Sequence, residues 1–222
     1  GLLMDNYSNS ENKKKISGST IHRLSRYFRA LDALEKKGSE TVSSKELARL
    51  EKLTPAQVRK DLSFFGSFGT RGLGYPVKEL KAKIGQILGL DREWKIALIG
   101  VGNVGSALVS YKEFLRQGFK ITKLFDNDQR KIGSNHKGIV VSDIKNLVTE
   151  LKEGGIEMVV ICVPGQDAQY LVDDVVKAEV RAILNFAPVA LKVPDGVFLR
   201  NENISMELEY LSYSLVNNPA QK

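Results

Sequence analysis

The run Gly100-Val101-Gly102-Asn103-Val104-Gly105 constrains this chain more than any other six residues. It stands directly after the apolar run Trp94-Lys95-Ile96-Ala97-Leu98-Ile99 and opens a helical stretch through Leu115. The first glycine allows a tight turn, the second leaves the backbone bare for a close approach, and the third lets the helix pack on the strand. Further strand candidates follow at 119–125, 138–141, 157–163, 181–186 and 197–200, alternating with helical stretches from Ser142 and from Asp167. Alternation of this kind predicts an α/β domain built on a doubly wound, mostly parallel sheet.

A glycine turn in that setting aims a helix N-terminus at phosphate groups. The second strand ends at Asp126, 21 residues past Gly105. A carboxylate at that place accepts hydrogen bonds from the adenosine ribose hydroxyls and repels a 2′-phosphate. The predicted ligand is therefore NADH or NAD+ rather than their 2′-phosphorylated forms, although Arg130 and Lys131 nearby keep the latter open. Two strand ends, Val163-Pro164-Gly165 and Asn185-Phe186-Ala187-Pro188, are loop starters that suit the nicotinamide side.

The half before this domain is different in charge. Residues 1–93 hold 18 Lys and Arg against 11 Asp and Glu, so the net +7 of the whole chain sits there, while residues 94–222 balance 15 against 15. A basic half joined to a neutral half points to a polyanionic partner for the first. From Thr20 to Lys37 apolar residues recur at three- and four-residue spacing, and Gly38 closes the helix. Ser43 and Glu46 have capping-box spacing and open a short second helix. Thr54, Pro55 and Gln57 open a third in the same way, running to about Phe65.

Two short helices across so brief a turn, behind a longer one, form a helix-turn-helix, whose last helix enters the major groove of DNA. Val58, Leu62 and Phe65 share its inward face. Lys60 and Ser63 point the other way, with Gln57 and Arg59 flanking, and these side chains suit base-edge contact. The glycine-rich run 66–76 predicts a tight β-hairpin, a wing, with Arg71 near its tip placed for a narrow minor groove. Val77 to Leu90 is again helical. The domains expected are therefore 17–90, a winged-helix DNA-binding domain; 94–204, a Rossmann domain for NAD(H); and 205–222, a terminal helix and tail. That helix carries Leu208, Leu211 and Leu215 on one face with Met206, Tyr210 and Tyr213 around it, an apolar surface that has to pack on its own chain or on a partner's, a partner being expected for a DNA-binding protein.

Other functions lack their residues. No apolar stretch is long enough to span a membrane, Lys13-Lys14-Lys15 is followed by no signal-like apolar run, and a cytoplasmic protein is expected. The single cysteine, Cys162, sits in the run 158–163 as a small hydrophobe. There is no Cys/His cluster with metal spacing, and no metal is expected. His22 and His136 are badly placed as proton donors for hydride transfer, and the roughly 120 residues after Gly100 leave no room for a substrate domain. A ligand-binding regulator that is not an enzyme is the simplest reading. The alternatives are a nicotinamide-dependent reductase with a basic accessory domain, and a coenzyme A- or nucleotide-binding domain.

The run Gln57-Val58-Arg59-Lys60-Asp61-Leu62-Ser63-Phe64-Phe65-Gly66, then Gly69-Thr70-Arg71-Gly72-Leu73-Gly74-Tyr75, resembles the Rex redox-sensing transcriptional repressors. Ser25-Arg26-Tyr27, the glycine loop 100–105 and Ile183-Leu184-Asn185-Phe186-Ala187-Pro188 extend the likeness over nearly the whole chain. The resemblance implies a homodimer that represses from an operator inverted repeat in double-stranded DNA and lets go when NADH rises over NAD+, with its last helix exchanged between subunits. It implies DNA contacts from Arg59, Lys60 and Arg71, beside Gln57 and Ser63 already read from the helix face. For the dinucleotide it implies Gly100, Gly102, Asn103, Val104, Gly105, Tyr111, Asp126, Lys131, Val163, Pro164, Asn185 and Phe186, with Tyr213 and Met206 from the partner subunit. One departure concerns an ion pair proposed in some members: Asn103 stands where they carry a basic residue and Ser205 where they carry an acidic one.

Overall fold

In the computed structural model, which describes residues 16–69 and 72–218, Asp91 and Arg92 divide the chain into two compact units. The first is built on α1 (Gly18–Lys36), whose Leu24, Tyr27, Leu31 and Leu34 form one buried stripe. Ser17 caps it by accepting the Thr20 N–H at 3.2 Å. α2 (Ser44–Glu51) and α3 (Pro55–Ser63) follow, joined through Lys52, which bends the chain with φ at 54°. Each starts on a cap foreseen from the sequence: Ser43 accepts the Glu46 N–H at 3.0 Å and Thr54 accepts the Gln57 N–H at 3.1 Å. Val58 and Leu62 of α3 and Leu47 of α2 close over the α1 stripe. α4 (Val77–Ile87) packs on the other side of α1, where Lys81 bridges Asp32 at 2.6 Å and Glu35 at 2.7 Å.

Of the hairpin expected within 66–76, residues 70 and 71 at its tip lie outside the described residues, and Gly74 on its returning side is a bridge residue. Strand β1 (Thr41–Val42) lies between α1 and α2, and it pairs antiparallel with β2 (Tyr75–Pro76), so the ladder joins the loop to a distant segment. Gly66, Gly69, Gly72 and Gly74 all adopt positive φ, which glycine enters without steric cost. At Gly69 a side chain would strike the Gly74 carbonyl.

The second unit carries strands β3 (Trp94–Ile99), β4 (Phe119–Asp126), β5 (Asn135–His136), β6 (Ile139–Asp143), β7 (Met158–Ile161), β8 (Ala182–Asn185) and β9 (Phe198–Asn201). Their order across the sheet is β5-β6-β4-β3-β7-β8-β9, with β5 antiparallel on one edge and the other six parallel. Reading those six in chain order gives third, second, first, fourth, fifth, sixth, the doubly wound arrangement, whose reversal falls between β3 and β7. Helices α7 (Leu147–Glu153) and α8 (Gly165–Lys177) cover one face, burying Leu151, Val172 and Val175. The other face, over Leu98, Leu124 and Val160, receives Leu108 and Val109 of α5 (Asn103–Val109).

Three boundaries differ from expectation. The helix foreseen through Leu115 breaks at Tyr111, whose ψ of 99° is extended, so α6 (Lys112–Arg116) is separate. The helix foreseen from Ser142 begins at Leu147, because Ser142 and Asp143 complete β6 and a single 3₁₀ turn follows. The edge strand β5 is too short to leave a pattern in the sequence. The last helix, α9, spans Ile204–Asn217.

Gly105 is where α5 meets the sheet: a Cβ there would collide with the Gly100 carbonyl and lie 3.1 Å from Leu98 Cδ2. Gly105→Ala is expected to destabilise the second unit by about 2 kcal/mol, the usual cost of overpacking. Urea unfolding followed by Trp94, the chain's single tryptophan, measures it, and a loss below about 0.5 kcal/mol would show that the helix shifts freely.

Candidate functional site

On α3 the residues expected to face DNA divide in two. Arg59, Lys60 and Ser63 are exposed on one side of the helix. Arg59 Nη1 donates to Ser44 Oγ of α2 at 3.1 Å, and Ser63 Oγ donates to the Lys60 carbonyl at 2.7 Å. Gln57 does not complete the second capping box. It is half-buried, and its Nε2 donates to Asp61 Oδ1 at 2.8 Å, because a carboxylate is a better acceptor than a return to the cap. Arg71 lies outside the described residues.

Asp61 is the residue that sequence reasoning missed. It is fully buried on α3, and α1 sends two donors to it. Arg23 chelates it, Nε to Oδ2 at 2.6 Å and Nη2 to Oδ1 at 2.8 Å, and Tyr27 Oη donates to Oδ2 at 2.6 Å. Burial pushes this carboxyl up, but the donations from Arg23, Tyr27 and Gln57 outweigh it and hold it below the usual carboxylate range. The signal was present: Arg23 and Tyr27 are four apart on one face of α1, and Asp61 stands beside Leu62 on the inward arc of α3. The cluster fixes the rotation of α3 about its own axis, and so decides which side chains face outward.

In the second unit a cleft of about 520 Å³ opens at the reversal between β3 and β7. Gly100, Gly102, Asp126, Lys131, Val163 and Pro164 line it, all foreseen, together with Ile144, Cys162, Asp167 and Tyr170, which were not. Gly100 must be glycine, since its φ is 96° and a Cβ would meet the Cys162 carbonyl of the neighbouring strand end. Gly102 has open space where its Cβ would stand, and it precedes α5 with no side chain capping the first-turn amides. Asp126, nearly buried, accepts the Val101 N–H through Oδ2 and the Asp128 N–H through Oδ1, each at 2.9 Å, and lies 3.7 Å from Lys131 Nζ. Bare backbone for a pyrophosphate and a carboxylate for a ribose thus occupy the two ends of one cleft, and the residues present fit a dinucleotide. Burial pushes the Cys162 thiol up to about 12, which leaves it unreactive.

The remaining predicted contacts stand elsewhere. Asn103 and Val104 are exposed on the first turn of α5, and Gly105 is buried beneath it. Asn185 is spent inside the protein: its Oδ1 accepts the Ala187 N–H at 2.9 Å, and its Nδ2 donates to the Ala187 carbonyl at 3.0 Å and to Asn201 Oδ1 at 2.9 Å. It staples β8 to β9 rather than facing the cleft. Phe186 packs half-buried against the sheet core beside Cys162 and Leu184. Tyr111 stacks edge-on against Phe114 at 5.0 Å, and Tyr213 is exposed on α9. Among the described residues no group of His, Cys, Asp or Glu is arranged to hold a metal, and no helix is long and apolar enough to cross a membrane.

Comparison with known proteins gives two family models, "CoA binding domain" over residues 91–189 and "Putative DNA-binding protein N-terminus" over residues 15–63. The redox-sensing transcriptional repressor Rex of Desulforamulus reducens is 47% identical, over 90% of this chain and 96% of its own. That of Desulfitobacterium hafniense is 46% identical over the same shares. Among solved structures, RSP in complex with β-NAD+ and operator DNA matches with a TM-score of 0.88 at 38% identity, covering 91% of this chain and 93% of its own. RSP in complex with β-NADH matches at 0.84 with 36% identity, covering 92% and 96%.

Asp61→Ala is expected to cost about 3 kcal/mol, because it strands the Arg23 charge and the Tyr27 hydroxyl. Since the folded carboxyl is held below its unfolded value, this contribution is complete above about pH 4 and fades only as pH falls further. Circular dichroism of unfolding at pH 7 and pH 3 tests both statements: the difference between wild type and variant should shrink at the lower pH, and a constant difference would remove the charge from the account.

Proposed function

The chain belongs to the Rex family of redox-sensing transcriptional repressors, and from that membership we propose that it binds operator DNA as a homodimer and is released as NADH rises over NAD+. The likeness to RSP captured with both β-NAD+ and operator DNA carries this reading, because it spans both units at once. The protein works in the cytoplasm as a regulator and not as an enzyme. The exposed face of α3 supplies Arg59, Lys60 and Ser63, with Gln57 at its edge, and the sequence adds Arg71, which lies outside the described residues.

Arg59 and Gln57 suit base edges, Lys60 a phosphate. In the second unit Asp126 holds the adenosine ribose, Gly102 to Val104 receive the pyrophosphate, and Val163 and Pro164 border the nicotinamide. Phe186 and Tyr111, with Tyr213 and Met206 of the partner's α9, complete that end. Ser205 and Asn103 leave this chain without the ion pair suggested for some relatives.

Dimerisation follows from α9, where Leu208, Leu211 and Leu215 are each more than half exposed, up to 77%. So much apolar area on one terminal helix is covered by a second copy of the chain. Two half-sites a helical turn apart then demand a fixed spacing between the two α3 helices. Release requires that NADH favour the conformer with the wrong spacing by roughly 1–3 kcal/mol, since only differential affinity shifts an equilibrium. An apolar surround at the nicotinamide end favours the neutral reduced ring over the cationic oxidised one. The alternative occupant, coenzyme A, carries a ribose phosphate that the Asp126 carboxylate opposes.

Fluorescence anisotropy on an AT-rich inverted-repeat duplex should show tight binding that NADH reverses and NAD+ or coenzyme A does not. Indifference to all three would leave only a DNA-binding protein. Lys60→Ala should weaken binding uniformly across sequences and lower the salt slope by about one, whereas Arg59→Ala should relax discrimination between operator and scrambled duplex. Leu211→Glu should shift sedimentation from dimer to monomer and abolish operator binding together. A variant that stays dimeric would place the interface away from α9.

A further inference from the structure

The loop after β4 carries two carboxylates and two cations within six residues, and their pairing decides what charge the adenosine end of the cleft presents. Asp126 faces Lys131. Asp128, which lines the same cleft, is held on three sides by Arg130: the Arg130 backbone N–H donates to Oδ1 at 2.9 Å, Nε to Oδ1 at 3.0 Å and Nη2 to Oδ2 at 2.9 Å. That is a fork-to-fork pair folded back onto its own loop. The Arg130 side chain and backbone together hold the Asp128 carboxyl down at about 2, so the anion is present at every physiological pH.

A basic residue just past the ribose-binding carboxylate is what a site for a 2′-phosphorylated dinucleotide ordinarily needs. This chain has one, yet its charge is already matched. We propose that Asp128 is a specificity-determining residue: by chelating Arg130 it withholds that guanidinium from a 2′-phosphate and so enforces NADH over NADPH. The proposal rests on the reading that the cleft takes a dinucleotide. Asp126 supplies one half of the discrimination by direct repulsion. Asp128 supplies the other by neutralising the cation that would offset it, since pulling Arg130 away leaves two carboxylates on one short loop with only Lys131 between them.

The test is calorimetric titration of the full chain with NADH and with NADPH, in wild type, Asp128→Asn, Arg130→Ala and the double variant. Asparagine keeps an acceptor for the Arg130 N–H and so preserves the turn, while removing the charge. Asp128→Asn should raise the NADPH-to-NADH affinity ratio about threefold to tenfold, in the range of an exposed charge pair. The double variant should return the ratio to that of wild type. Arg130→Ala alone should not raise the ratio, because the guanidinium is already engaged and its loss leaves the Asp128 carboxylate uncompensated. A gain that survives in the double variant, an unchanged ratio in Asp128→Asn, or a raised ratio in Arg130→Ala each overturns the proposal. Wild-type protein that binds neither nucleotide overturns the dinucleotide reading itself, and the proposal with it.

Discussion

The carboxylate of Asp126 holds the ligand end of the molecule together. It ends β4, and through its two oxygens it fastens the glycine loop by the Val101 N–H and its own following turn by the Asp128 N–H. Three segments far apart in sequence, 100–105, 126–131 and the end of β7, meet at that point because the sheet reverses direction there. A charge so nearly buried persists only with donors on both oxygens. Backbone amides provide them here without using any side chain the ligand needs. Asp126 still lines the cleft, so one residue serves the fold and stands where the proposed ribose would lie.

Asp61 solves a related problem on the other unit by different means. Its partners are side chains, Arg23, Tyr27 and Gln57, and every one is drawn from a helix. An apolar contact between α1 and α3, such as that of Val58 and Leu62, has no directional partners. A chelated carboxylate has them on both oxygens. The cost is desolvation. The return is a recognition helix whose outward residues are specified, with Arg59 further braced on Ser44.

Much of this was legible in the residues. The three N-terminal helices, their Ser43 and Thr54 caps, the strand-turn-helix around Gly100 and the place of Asp126 at the end of β4 follow from local rules, because capping and close backbone approach depend on few neighbours. The pairing of Tyr75–Pro76 with Thr41–Val42 was not legible, since a two-residue strand leaves no period and its partner is more than thirty residues away. Gln57 was misjudged for a similar reason. Its capping-box spacing is a local signal, and a long-range acceptor, Asp61, overrode it. Asn185 carried the sequence mark of a ligand-facing loop, yet its amide closes a turn and a strand edge within the protein.

What links the two units has to be sought in packing rather than in charge. The net charge lies in the DNA-binding half, where it sets affinity and salt dependence but is the same with either form of the nucleotide. The oxidised and reduced ligands differ by one charge on the nicotinamide ring, and Val163 and Pro164, proposed to border it, are apolar residues of the cleft. With Asn103 and Ser205 both neutral, an ion pair made or broken between them cannot report that difference. On the proposed dimer the surface able to do so is α9, whose apolar side chains are exposed on the single chain. Packed interfaces have discrete arrangements rather than a continuum, so a small preference at the ring becomes a choice between two seats for that helix.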